Sequence, residues 1–266
     1  MNNLLNEIAL LFLFYAIIGW LWETVYCSIK AKKFVYRGFL IGPYCPIYGF
    51  GILSVLYFIA PYQNNLLLLY SLSVIVVTVL EYFTSYILEK IFHATWWDYT
   101  GVPLNLNGRV ALPVSLFWGT ACVLIVKVIH PEVMKLTEFT LAHTGSYLYL
   151  MIAVLFASDS IYTVFNMINF NKISLEWDSA IDSSRQQFRK RRLQLETSLG
   201  KNLESIKSDY AEWREEFEER AKKLPKLNFN HRRYLRSFKN FRMKNIENQA
   251  YIKEYLIQKR KERKHD

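Results

Sequence analysis

Five apolar runs, each about long enough to cross a bilayer, dominate the first 170 residues. A spanning helix needs roughly 20 mostly apolar residues, because the hydrocarbon is about 30 Å thick and a helix rises about 1.5 Å per residue. The runs are 8–27, 39–62, 66–88, 110–129 and 147–168. Within residues 1–170 eight basic side chains face eight acidic ones, so this part is neutral. Residues 171–266 hold the remaining 25 Lys and Arg and 15 Asp and Glu, and they carry the whole net charge of +10. A greasy neutral body joined to a polar basic tail excludes a single soluble domain. The predicted fold is all-α: a five-helix transmembrane bundle over 1–170, followed by a cytoplasmic helical, coiled-coil hairpin over 171–266.

The first run is read as a permanent helix. No Lys or Arg precedes it, it is too long for a signal-peptide core, and no small-residue cleavage site follows. Cys27, Cys45 and Cys122 are odd in number and far apart, so they suggest neither a disulfide framework nor a metal site. They read as small apolar fillers. No metal or other cofactor is expected.

Orientation follows from the loops. The first carries Lys30, Lys32, Lys33 and Arg37, the third is bounded by Lys90 and Arg109, and the tail is strongly basic. The positive-inside rule puts these in the cytoplasm. Five spans then leave the N-terminus outside and the C-terminus inside a cell membrane. Trp20, Trp22, Trp96, Trp97, Tyr99 and Trp118 lie near span ends, as an interfacial aromatic belt would.

A charge within a span is costly and needs a reason. Glu23, Glu81 and Asp159 stand inside apolar runs, with Asp98 in the third loop and Arg109 opening the fourth span. A cluster in one leaflet is expected, with Arg109 pairing Glu23 or Glu81. A static pair that fixes packing and a polar vestibule for a substrate head group are both open readings. The second run is the most irregular. Gly38 and Gly42 form a GxxxG, Pro43 and Pro46 bend the backbone, and Gly49 follows. These five positions read as a helix break or a packing seam. His93 has no partner at metal-ligand spacing, so it is given no metal role.

Three blocks go further. They are Gly19-Trp20-Leu21-Trp22-Glu23; Arg37-Gly38-Phe39-Leu40 with Gly42-Pro43-Tyr44-Cys45-Pro46-Ile47-Tyr48-Gly49; and Leu104-Asn105-Leu106-Asn107-Gly108-Arg109 with Leu112-Pro113-Val114-Ser115-Leu116-Phe117-Trp118-Gly119. Together they resemble the bacterial CmpB-like membrane proteins, labelled ABC-transporter type IV permeases. The resemblance covers about residues 5–170. It implies an integral membrane subunit of a transport system and a permease whose ATPase is another chain. It points to Glu23, Arg37, Asn107, Gly108 and Arg109 as substrate or coupling positions, beside Glu81 and Asp98. The chain has no Gly-x-x-x-x-Gly-Lys-Ser/Thr loop for ATP of its own.

In the tail, Leu199, Leu203, Ile206, Tyr210, Trp213 and Phe217 fall at alternating steps of four and three, a heptad seam. Ile181, Phe188 and Leu195 continue it upstream at sevens. The helix should stop near Leu224-Pro225. A second helix is expected over 231–261, with Tyr234, Phe238, Phe241, Ile252 and Tyr255. An acidic stretch over 204–219 could face this basic helix in an antiparallel hairpin. The basic tail fits the anionic inner leaflet, at about 1 kcal/mol per basic residue near the surface. Homo-oligomerisation through the tail is open, and nucleic acid is disfavoured for want of a motif. The rivals to transport are a membrane-anchored coiled-coil scaffold and a membrane-embedded lipid-modifying enzyme. No nucleophile–base pair can be read from the spacing, so no enzymatic activity is expected.

Overall fold

The structure is a computed structural model that describes residues 2–59, 62–198 and 203–262. Within its helices, the side chains of 191, 192, 194–198, 203–210 and 260–262 are outside the description. The heptad positions Leu195, Leu199, Leu203, Ile206 and Tyr210 therefore lie outside the described side chains. The fold is mainly helical and divides into two compact units. One is Met1–Asn166 with Arg236–Phe241; the other is Met167–Leu235 with Arg242–Asp266.

The first unit begins with α1 (Asn2–Ala31), whose buried residues Asn6, Leu10, Leu11, Tyr15, Ala16 and Gly19 recur at helical spacing along one face. A non-helical segment follows, and α2 (Pro46–Ile59) starts on a proline. Proline is well placed there, since the first turn has no use for its missing N–H. Next comes α3 (Leu66–Phe92), capped by the Asn65 side chain on the Leu67 and Leu68 amides. Then α4 (Leu112–Leu124), a π-helical turn (Ile125–Ile129) and α5 (His130–His143) run on as one helix. Pro131 accounts for the π turn: it cannot donate to the carbonyl four residues back, and its ring crowds that carbonyl. Finally α6 (Leu148–Ser198) extends for 51 residues, and the boundary between units falls within it.

Four helices are long and apolar enough to cross a membrane: Asn2–Ala31, Leu66–Phe92, Leu112–His143 and the stretch Leu148–Lys190. The expected second span is only partly helical. Its helix has 14 residues, about 21 Å of rise against about 30 Å of hydrocarbon. Residues 39–45 are irregular. Pro113, by contrast, opens α4 at its first turn and breaks nothing.

The core of this unit joins α1, α2, α3 and the 112–143 helix through Leu11, Tyr15, Ile52, Val55, Leu69, Cys122 and Val126. Helices α1 and α2 pack closely. A Cβ at Gly19 would lie 2.2 Å from Tyr48 Cγ, and one at Gly49 would lie 2.6 Å from Phe12 Cδ2. The packing seam therefore uses Gly19 and Gly49. Gly38 and Gly42 sit in the irregular segment, not on a helix, so the expected GxxxG seam between them does not form.

The second unit contains the end of α6, α7 (Leu203–Lys223), α8 (Phe229–Ser237) as far as Leu235, and α9 (Gln249–Glu262). The helix before Pro225 ends where proline predicts. The helix expected over 231–261 is two helices, with residues 238–248 between them. Its core is aromatic: Trp213 stacks on Phe217, and Tyr251 and Tyr255 close on Phe217 from α9. Phe188 and Trp177 of α6 join them. Asn248 is buried, and its amide and side chain donate to Asp178 and Asp182. Lys259 of α9 meets Glu218 of α7 at 2.9 Å, an instance of the expected basic-to-acidic facing.

Candidate functional site

Several groups of polar side chains lie within the first unit. The first centres on Arg37. Its Nε donates to Glu23 Oε2 at 3.0 Å, and Tyr48 Oη donates to Glu23 Oε1 at 2.8 Å. Trp20 Nε1 donates to the Arg37 carbonyl at 3.0 Å. Arg37 Nη1 donates to the Ser237 carbonyl at 2.8 Å, and the guanidinium carbon stands 4.1 Å from the centre of the Phe238 ring. Both charged side chains are about four-fifths buried, at 19% and 23% exposure. A pair this sheltered is costly to break, because the remaining partner is left as an uncompensated charge.

Glu81 lies on α3 and is 8% exposed. Its Oε1 accepts from Tyr99 Oη at 3.1 Å, while its Oε2 is buried without a hydrogen-bond partner among the described residues. Burial, followed by the Glu81 charge and hydrogen bond, pushes the Tyr99 phenol well above its ordinary range. Tyr99 therefore stays a donor at physiological pH.

The third group is Arg109. The sequence-based expectation paired it with Glu23 or Glu81; it pairs instead with Glu89, Nη2 to Oε2 at 2.9 Å. Glu89 and Glu81 are eight residues apart on one helix, about 12 Å. Arg109 thus pairs with the carboxylate nearer the C-terminal end of α3. The Tyr82 and Tyr86 rings lie 5.4 and 5.5 Å from its guanidinium carbon, within cation–π range. Trp97 Nε1 donates to its carbonyl at 2.9 Å.

Asn107 and Gly108 have a structural role in the observed geometry. Asn105–Leu106 pairs antiparallel with Val110–Ala111 in a short hairpin. Both residues at its tip have positive φ, 55° and 67°, and Arg109 N donates to Leu106 O. This is the tight turn that an Asn-Gly pair favours. Gly108 is doubly fixed, since a Cβ there would also meet Thr100 and Asp98 at under 3 Å. Asp98 Oδ1 accepts from the Thr100 amide. Asn105, not singled out from the sequence, ties the loop together: Nδ2 reaches Thr100 O and Val102 O, and Oδ1 accepts from Gly108 N.

The irregular segment 38–45 is held from α6. Asp159 Oδ1 accepts from Ile41 N and Thr163 Oγ1, and Oδ2 accepts from Gly42 N at 2.7 Å and Tyr44 Oη at 2.6 Å. Cys45 N donates to Ala16 O at 2.8 Å. Depth can be read along the helices. Tyr149 N meets Asn6 Oδ1, and ten residues on from each, about 15 Å, stand Asp159 and Ala16. The unwound segment therefore lies deep between the ends of α1. Pro43 is exposed at its bend, and Gly38 turns into it with φ of 96°. Next to Ala16 on α1, Tyr15 Oη and His130 Nδ1 share a bond of 2.8 Å.

No group of three or more metal-ligating side chains occurs among the described residues.

Among the described residues, four helices are long and apolar enough to cross a membrane, the length and composition of a helical membrane protein. The chain belongs to the family described as "Putative ABC-transporter type IV", whose profile matches residues 10–164. All three sequence blocks fall within that match. No curated protein and no solved structure matches the chain.

Proposed function

We propose that this chain is the membrane-embedded subunit of a transport system, a permease energised by an ATPase on another chain. The observation that carries this reading is the interrupted second membrane segment. Irregular backbone at membrane depth is tolerated only where protein covers it or where it lines a cavity. Transporters build their substrate sites from such broken helices. Here the break is held by Asp159, and Glu23, Arg37 and Tyr48 stand directly beside it. The side chains that would meet a substrate or couple its movement are Glu23, Arg37 and Glu81. In this reading the protein sits in the cell membrane with its basic tail in the cytoplasm, near the anionic inner leaflet.

Purification from the native membrane in mild detergent tests the proposal. A stoichiometric soluble ATPase that co-elutes, and whose turnover changes with E23Q or R37Q, supports it. Elution alone, or with an envelope protein and no ATPase, refutes it.

A second reading, a membrane-anchored scaffold, is favoured by the aromatic core of the second unit, which gives the tail a fold of its own. Deleting residues 172–266 separates the two. A scaffold loses all function, whereas a permease body keeps part of it.

A further inference from the structure

Six residues of the C-terminal region belong to the first unit: Arg236–Phe241, flanked on both sides by chain assigned to the second. Their contacts within that unit include the following. Arg37 Nη1 donates to the Ser237 carbonyl at 2.8 Å. The Arg37 guanidinium carbon stands 4.1 Å from the centre of the Phe238 ring. The Phe241 ring meets Trp96 edge-on, with centroids 5.6 Å apart. Asn240 Nδ2 lies 3.5 Å from the Asp98 carbonyl oxygen. Phe238 and Phe241 are 5% and 6% exposed. The turn between them is closed by Phe241 N donating to Phe238 O.

We propose that Arg37, Trp96 and the Asp98 carbonyl form a peptide-binding site on the membrane body. Its ligand is a short segment with two aromatic residues three apart, taken here in cis from Phe238 to Phe241, and Arg37 is the residue through which occupancy reaches Glu23. The chemistry is that of a reader. One guanidinium donor takes a main-chain carbonyl, the planar face takes the first aromatic ring, and an indole edge takes the second. The same guanidinium holds Glu23 through Nε, and Glu23 in turn holds Tyr48 of α2. The contacts thus form one physical chain from Phe238 to α2. Because coupling between two ends is reciprocal, loosening either end loosens the other. The site stands whether or not the chain transports.

Hydrogen exchange of the full-length protein in lipid nanodiscs, read by mass spectrometry, tests this. R37K keeps the positive charge beside Glu23 but removes the planar face. F238A alters the ligand and leaves the body intact. We expect R37K to raise exchange of residues 236–241 by about tenfold. F238A should raise exchange of residues 35–48 as well as of its own segment. In both variants α3 and α7 should exchange as in the parent, which controls for misfolding. Unchanged exchange of 236–241 in R37K would overturn the proposal, as would an F238A effect confined to 236–241. If α3 also loosens, E23Q replaces R37K: it weakens the pair without touching the segment. It should speed exchange of residues 35–48 and 236–241 together, and movement of the first alone counts against the site.

Discussion

At Gly19 a single hydrogen atom allows α1 and α2 to cross. Adding a methyl brings a carbon to 2.2 Å from the Tyr48 ring, which cannot yield without releasing Glu23. G19A should therefore destabilise the body by about 1–3 kcal/mol, measurable as a lower thermal midpoint in detergent. G51A is the control, since a Cβ there meets nothing within 4 Å. Glu23 and Arg37 are bound so closely that removing either strands the other. R37Q should cost about 3 kcal/mol, and the double variant E23Q/R37Q less than the sum of the singles, a coupling read by a double-mutant cycle. Y99F removes the one described donor to Glu81, leaving both carboxyl oxygens without one. A loss of about 1–3 kcal/mol is expected.

Among the elements, the unwound segment and the 105–111 hairpin are built from opposite materials. The segment has no ladder of its own and depends on Asp159, which accepts from two amides, a phenol and a hydroxyl. D159A removes all four acceptor contacts at once. Cys45, 4% exposed in the parent, then becomes reactive to membrane-permeant maleimide, while Cys122 in the helical core stays protected. Equal labelling of Cys45 in parent and variant would contradict this role. The hairpin is set by local conformation. G108A forces a side chain into a left-handed backbone position and against Thr100, at about 1–3 kcal/mol. The Asn-Gly pair signals this turn in the sequence. It was read instead as part of a family block, which hid its local meaning.

For the whole molecule, two chemistries share one chain. The first unit presents apolar side chains outward on α1, α3, the 112–143 helix and α6, as suits lipid surroundings. The second buries Trp177, Trp213, Phe217 and Tyr234, though Phe229 is exposed. If the tail faces the inner leaflet as proposed, the full-length protein has a salt-dependent component to its lipid preference. Co-purified anionic lipid should fall when sodium chloride is raised from 0.1 M to 1 M, where the screening length shrinks from about 10 Å to about 3 Å. Lipid retention that ignores salt would remove the tail from that role.

Composition and periodicity alone determined the long apolar helices at four of the five expected spans and the helix end before Pro225, and near Pro43 and Pro46 they offered a helix break beside a packing seam. These are legible because they depend on length, apolarity and the conformational limits of proline, which each segment carries in itself. Tertiary structure decided the rest. Arg109 takes Glu89 because the hairpin delivers it to the C-terminal end of α3, and no spacing rule reports where a hairpin ends. Arg37 was marked as a candidate, but its partner Ser237 lies 200 residues away. The choice of Gly19 and Gly49 over Gly38 and Gly42 was hidden for the same reason. A glycine's value in packing depends on which side chain stands opposite, and only the assembled fold supplies it.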